Sequence, residues 1–119
     1  MGRYYHGDIE GKFAFGVQSS NAADRFGVVG VEPSYISYYF DEDNIEGIEN
    51  ELKKIENTLG DQLKIMSDFF EKGIGYDDNI LRENNVDPSK IGEYFDYVLG
   101  KKILECIEEM GSCSFDAEL

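Results

Sequence analysis

A chain of 119 residues carrying 25 Asp and Glu against 11 Lys and Arg has a formal net charge of −14, well beyond the magnitude of roughly 2–8 that keeps a small domain soluble. That field opposes direct nucleic-acid binding, which needs a basic surface, and it repels anionic membrane surfaces; no apolar run reaches the roughly 20 residues of a membrane-spanning helix. Apolar residues at 41% and aromatics at 13%, with eight Phe and eight Tyr spread along the chain, argue against disorder and for one domain with a packed core.

Composition divides the chain. Residues 1–40 are rich in Gly, aromatics and Val, and read as a β-rich half. The opening Met1-Gly2-Arg3-Tyr4-Tyr5-His6 has no apolar stretch of a secretory signal, and His6 breaks the myristoylation pattern, so a cytoplasmic setting is expected. Residues 12–18 hold β-formers between turn residues and predict a strand with Phe13, Phe15 and Val17 on one face. Residues 19–24 read as a loop or short helical turn. A second strand is expected from Phe26 to Val31, ended by Glu32-Pro33, and a third from Tyr35 to Phe40 with Ile36, Tyr38 and Phe40 on a shared face.

From Asp43 the period changes. Ile45, Ile48, Leu52, Ile55 and Leu59, continued by Leu63, Met66 and Phe70, recur at steps of three and four and predict an amphipathic helix of about 28 residues. Asp43 is the expected N-cap, with Glu46 three residues on. Gly60 invites a bend, and Gly73 and Gly75 supply the stop. A short helix is expected over residues 77–84, with Ile80 and Leu81 inward. Asp87-Pro88 is a start signal for a second long helix bearing Ile91, Phe95, Val98, Leu99, Ile103, Ile107 and Met110, capped by Gly111. Residues 112–119 read as a frayed tail. The expected architecture is α+β within a single domain, 1–119. A small N-terminal antiparallel sheet of about three strands precedes a hairpin of two long amphipathic helices over residues 43–111. Two long apolar stripes also suit a homodimer, since one small sheet covers only part of them.

Few residues suggest chemistry. His6, the one histidine, lies near Asp8 and Glu10, a pairing suited to acid–base work, but no nucleophile accompanies it and a surface turn explains it. Cys106 and Cys113 fit neither a redox Cys-x-x-Cys nor a zinc knuckle and read as free thiols. Asp41-Glu42-Asp43-Asn44 fails as a calcium loop, because Ile45, Glu46 and Leu52 stand where a ligand, a Gly and a Glu are required. An acidic helix start explains that cluster instead. Residues 7–11 lack the Lys-Ser/Thr of a phosphate loop. No catalytic residue, metal site or cofactor is therefore expected.

The carboxylates themselves are the leading candidates. Some should pair along the first helix, as Glu49 with Lys53 and Asp68 with Lys72. The unpaired excess is expected around residues 41–51, 77–87, 93–96 and 105–118, with Asp41, Glu42, Asp43, Glu46, Glu49, Asp77 and Asp78 as the candidate contacts. Drawn together, these groups would imitate a phosphate track and suit the basic groove of a nucleic-acid-binding protein or nuclease. A separate set, Arg3, Tyr4, Tyr5, Arg25 and Tyr38, carries the residue types that hold phosphates and bases and would serve a nucleotide-like ligand.

The stretch Gly2-Arg3-Tyr4-Tyr5-His6-Gly7-Asp8-Ile9-Glu10-Gly11-Lys12-Phe13, continued by Phe15 to Gln18 and Ala23-Asp24-Arg25-Phe26-Gly27, resembles small acidic accessory proteins of bacteriophages and their environmental relatives. The resemblance covers about the first forty residues; beyond them it is one of pattern only. An aromatic often stands in that family where this chain has Ala14. The resemblance brings no catalytic residues with it. It implies a viral protein in the host cytoplasm, where short acidic proteins often inhibit host defence nucleases, CRISPR effectors among them. The expected function is that of a non-enzymatic inhibitor with a nucleic-acid-mimicking surface. The alternatives are an oligomeric sponge for a nucleotide signal and a virion assembly protein.

Overall fold

The computed structural model describes residues 3–14, 17–28, 35–73 and 77–118. The fold is α+β. Four strands, β1 (Tyr4–Gly7), β2 (Gly11–Lys12), β3 (Tyr35–Asp41) and β4 (Ser112–Glu118), form one antiparallel sheet in the order β2-β1-β4-β3. The helices are α1 (Ile45–Leu59), α2 (Gln62–Glu71), α3 (Asp78–Glu83) and α4 (Ile91–Met110).

The expected frayed tail is instead β4, an interior strand of the sheet. It pairs with β1 from Tyr5↔Ala117 to Gly7↔Phe115 and with β3 from Tyr35↔Glu118 to Asp41↔Ser112. Cys113, Phe115 and Ala117 alternate inward along it, as period two requires. They meet Phe40, Tyr38 and Ile36 across the β3 register. Phe115 stacks on Tyr38 with ring centroids 5.2 Å apart and lies 6.0 Å from Tyr5. Pairing on both sides satisfies the backbone of β4, so a segment of modest β propensity is held where an isolated end would fray. The sheet thus joins both ends of the chain.

Two other expected strands are corrected. After Lys12 the chain leaves the sheet: Phe13 is buried, Val17 is 53% exposed, and Val17 and Gln18 both donate backbone bonds to the Ala14 carbonyl in a turn. Phe15 and Gly16 lie outside the described residues. Phe26 ends a 3-10 turn, Ala22–Phe26, capped by Gly27 in the left-handed region, and is not in a strand; residues 29–34 lie outside the described residues. The reading of residues 35–40 holds, with Ile36, Tyr38 and Phe40 buried and Ser37 and Tyr39 exposed.

The long first helix is two. Gly60 takes φ 54 and ψ −128, a conformation costly for residues with a side chain, and closes α1 by donating to the Glu56 carbonyl at 2.8 Å. The apolar stripe survives the break, with Ile48, Leu52, Ile55, Leu59 and Met66 buried and Phe69 inward in preference to Phe70. The start also differs: Asp41, not Asp43, is the cap, in a reciprocal box with Asn44 on the 3-10 turn Glu42–Asn44. Gly73 follows α2 with φ 67; Gly75 lies outside the described residues. Asp77 caps α3, Asp87 caps the 3-10 turn Pro88–Lys90 that leads into α4, and Gly111 ends α4 in the left-handed region. Met110, expected inward, is 57% exposed, at the last residue of α4 before Gly111 and β4.

Helix α4 contacts α1, β3 and β4, so both long helices share one core with the sheet. The Gln62 side chain ties the start of α2 to the loop before α4, donating to the Asn85 carbonyl and accepting from the Asp87 amide, each at 2.8 Å.

Candidate functional site

The acidic candidates gather where β3 passes into α1. Asp41 Oδ1 accepts from the Asp43 amide at 3.0 Å and Asn44 Oδ1 from the Asp41 amide at 2.9 Å, so Asp41 shapes the junction. Glu42 and Asp43 follow on the 3-10 turn, and Glu46 and Glu49 on the first turns of α1; all four side chains are exposed. Their periodicity explains this: Ile48 and Leu52 take the buried side of α1, leaving the residues between for water. Among the described residues, none of the four joins an ion pair within 4.0 Å. The expected Glu49–Lys53 and Asp68–Lys72 pairs do not close to that distance; Lys54 approaches Glu51 at 3.7 Å instead. Asp77 stands apart in sequence, its carboxylate accepting from the Ile80 amide at 2.9 Å as the cap of α3. Asp78 opens α3, and its side chain lies outside the described residues.

The second candidate set is not assembled into one site. Arg3 donates to Ser20 Oγ at 2.6 Å and to the Gln18 carbonyl, and lies over the Phe13 ring at 5.5 Å. Tyr5 is buried against Phe13 and Phe115, its hydroxyl accepting from Lys102 Nζ at 3.0 Å. Tyr38 is buried and donates to Asp24; burial, reinforced by that carboxylate, pushes its phenol well above the ordinary range. Tyr4 alone of the tyrosines in this set is half exposed, on the outer side of the sheet.

Arg25 is the centre of a network the sequence does not announce. Its guanidinium reaches Glu51 at 2.8 Å, Glu93 at 3.0 Å and Asp96 at 2.7 Å. Gln18 Nε2 donates to the other Asp96 oxygen at 2.8 Å while Gln18 Oε1 accepts from the Ala14 amide at 3.0 Å. The residues come from the 3-10 turn, α1 and α4, so the cluster ties the irregular N-terminal segment to both long helices. Burial works against the charge on Arg25, but its three carboxylate partners outweigh that and hold its pKa above the ordinary value. At Asp96 burial wins: the carboxyl is raised despite Arg25 and Gln18. Gln18, Glu93 and Asp96 carry no spacing that marks them as partners, and only the packing of the turn against α1 and α4 brings them to Arg25.

Cys106 and Cys113 are free thiols and both buried; burial, then the neighbouring Cys106, pushes the Cys113 thiol far up. That favours the inert protonated form over a nucleophile. Among the described residues no group of three or more His, Cys, Asp and Glu is placed to hold a metal ion, and no helix is long and apolar enough to cross a membrane.

No protein-family model, curated protein or solved structure matches this chain. The geometry offers exposed carboxylates at the β3–α1 junction and, separately, an arginine already engaged by carboxylates of its own.

Proposed function

We propose that this protein is a non-enzymatic binding protein that presents the β3–α1 carboxylates to the basic groove of a nucleic-acid-binding partner. The supporting observation is that Glu42, Asp43, Glu46 and Glu49 are all exposed and without an ion-pair partner among the described residues. Charges so placed keep their field in solvent, where it steers a basic partner and is screened by salt. In the viral setting that the N-terminal resemblance implies, the partner is a host defence protein such as a CRISPR effector nuclease, and binding inhibits it by exclusion of nucleic acid. The nucleotide-sponge reading has less support, because Arg3, Tyr5, Arg25 and Tyr38 are engaged within the fold.

The test is capture of partners from host lysate across a salt gradient, followed by association kinetics with the recovered protein. Reversing Glu42, Asp43, Glu46 and Glu49 to Lys should slow association roughly ten- to a hundredfold at low salt, and duplex DNA should compete with the unmodified protein. Asp41 is left in place because it caps the junction. Binding unchanged by the four reversals, or indifferent to competing DNA, overturns the proposal.

A further inference from the structure

A groove of about 350 Å³ lies between α2 and α4, within the range of roughly 300–1,000 Å³ typical of small-molecule sites. Leu63 from α2 and Val98 from α4 give it aliphatic wall, and Tyr94 and Tyr97 add two rings. The Tyr94 ring is fixed from behind by Phe70, with centroids 5.3 Å apart, and Tyr97 is aligned by Glu56 at 3.4 Å. Ser67 adds a hydroxyl beside Tyr94. The Gln62 clamp holds the start of α2 to the segment before α4, so the two walls are held by the fold itself.

Lys101 and Lys102 also line this groove. Lys12, Lys53, Lys54, Lys64 and Lys72 are exposed, whereas Lys101 and Lys102, like Lys90 at the start of α4, are half-buried; neither Lys101 nor Lys102 has a carboxylate within 4.0 Å among the described residues. Lys102 Nζ instead donates to two neutral oxygens, Tyr5 Oη at 3.0 Å and the Glu10 carbonyl at 2.8 Å. A half-buried ammonium without a counter-charge is a ready anion partner. The apolar and aromatic walls suit a flat organic body. Glu105, the one carboxylate of the lining, and the net charge of −14 weigh against a polyanion.

We infer that the α2–α4 groove is a binding site for a small aromatic monocarboxylate, its ring against Tyr94 and Tyr97 and its carboxylate on Lys101, with Lys102 beside it. The site is separate from the β3–α1 carboxylates, so either proposal stands if the other fails.

The experiment is a titration of the full chain with 3-phenylpropionate, followed by amide chemical shifts, with the neutral amide 3-phenylpropanamide and inorganic phosphate run in parallel. The expected result is saturable shifts confined to residues 62–67 and 94–105, absent with phosphate and much weaker with the amide. Lys101→Gln should weaken binding roughly tenfold, the scale of one charge-assisted hydrogen bond, while Lys101→Arg keeps most of it; the variants' own spectra confirm that the fold is retained. Absence of saturation at millimolar 3-phenylpropionate overturns the inference, as does equal binding of the amide, or an undiminished affinity in a folded Lys101→Gln variant.

Discussion

The same substitution in the two long helices should shift stability in opposite directions. Gly47 is exposed on α1, and a Cβ placed there meets nothing within 4 Å. Gly100 is buried in α4, where a Cβ would come 2.5 Å from Phe26 Cε1, 2.6 Å from Phe26 Cζ and 2.9 Å from Leu52 Cδ2. Replacing Gly with Ala in a helix stabilises by about 0.5–1 kcal/mol, largely by restricting the unfolded chain, and Gly47→Ala should gain that amount. At Gly100 the gain is set against overpacking, which costs about 1–3 kcal/mol. The obstructing ring is 1% exposed and Leu52 is 5% exposed, so neither swings into open space. The net expectation for Gly100→Ala is a loss of about 0.5–2 kcal/mol. At about 4 °C per kcal/mol for a domain of this size, Gly47→Ala should raise the melting temperature by about 2–4 °C and Gly100→Ala should lower it by about 2–8 °C. Urea unfolding and calorimetry give the two values, and a double-mutant cycle with Phe26→Leu locates the cause, because contacting residues do not add. The seating of Phe26 on Gly100 is refuted if Gly100→Ala is as stable as the unmodified protein, or if its loss is the same in the Phe26→Leu background.

Truncation after Gly111 removes β4, and with it Cys113, Phe115 and Ala117 from the core; the truncated chain should lose cooperative unfolding, whereas removal of a frayed tail would change stability by less than about 0.5 kcal/mol. Arg25→Met leaves Glu51, Glu93 and Asp96 facing one another. It should cost about 1–3 kcal/mol at neutral pH, below the figure for fully buried pairs, since the Arg25 side chain keeps 26% exposure. That deficit should shrink on acidification. Burial already raises the Asp96 carboxyl above its ordinary value of 3.8, and Arg25 opposes the shift. A raised carboxyl contributes stability that is present below its unfolded value and lost as pH rises through its folded one, so removing Arg25 enlarges that loss. Urea unfolding of both proteins from neutral pH down toward pH 3.8 checks the sign, and a deficit independent of pH would discount the carboxylate cluster as its source.

The sequence by itself determined the α+β class, β3, the two long helices and the stops between them. Those features are written in near neighbours: Ile48, Leu52, Ile55 and Leu59 repeat at helical spacing, Ile36, Tyr38 and Phe40 alternate, and Asp77, Asp87 and Gly111 punctuate through bonds only a few residues long. The exposure of Glu42, Asp43, Glu46 and Glu49 was legible for the same reason, as the complement of the buried stripe. The tertiary structure decided what depends on distant partners. Cys113, Phe115 and Ala117 alternate as a strand should, but only pairing with both β1 and β3 makes a sheet interior of a polar chain end. Phe26 has the composition of a strand and lies in a 3-10 turn because its ring is received at Gly100, 74 residues away in sequence. Arg25 suits a phosphate as well as it suits carboxylates, and the meeting of α1, α4 and the 3-10 turn settles which it holds. In each case the local pattern left several conformations close in energy, and burial against a remote element separated them.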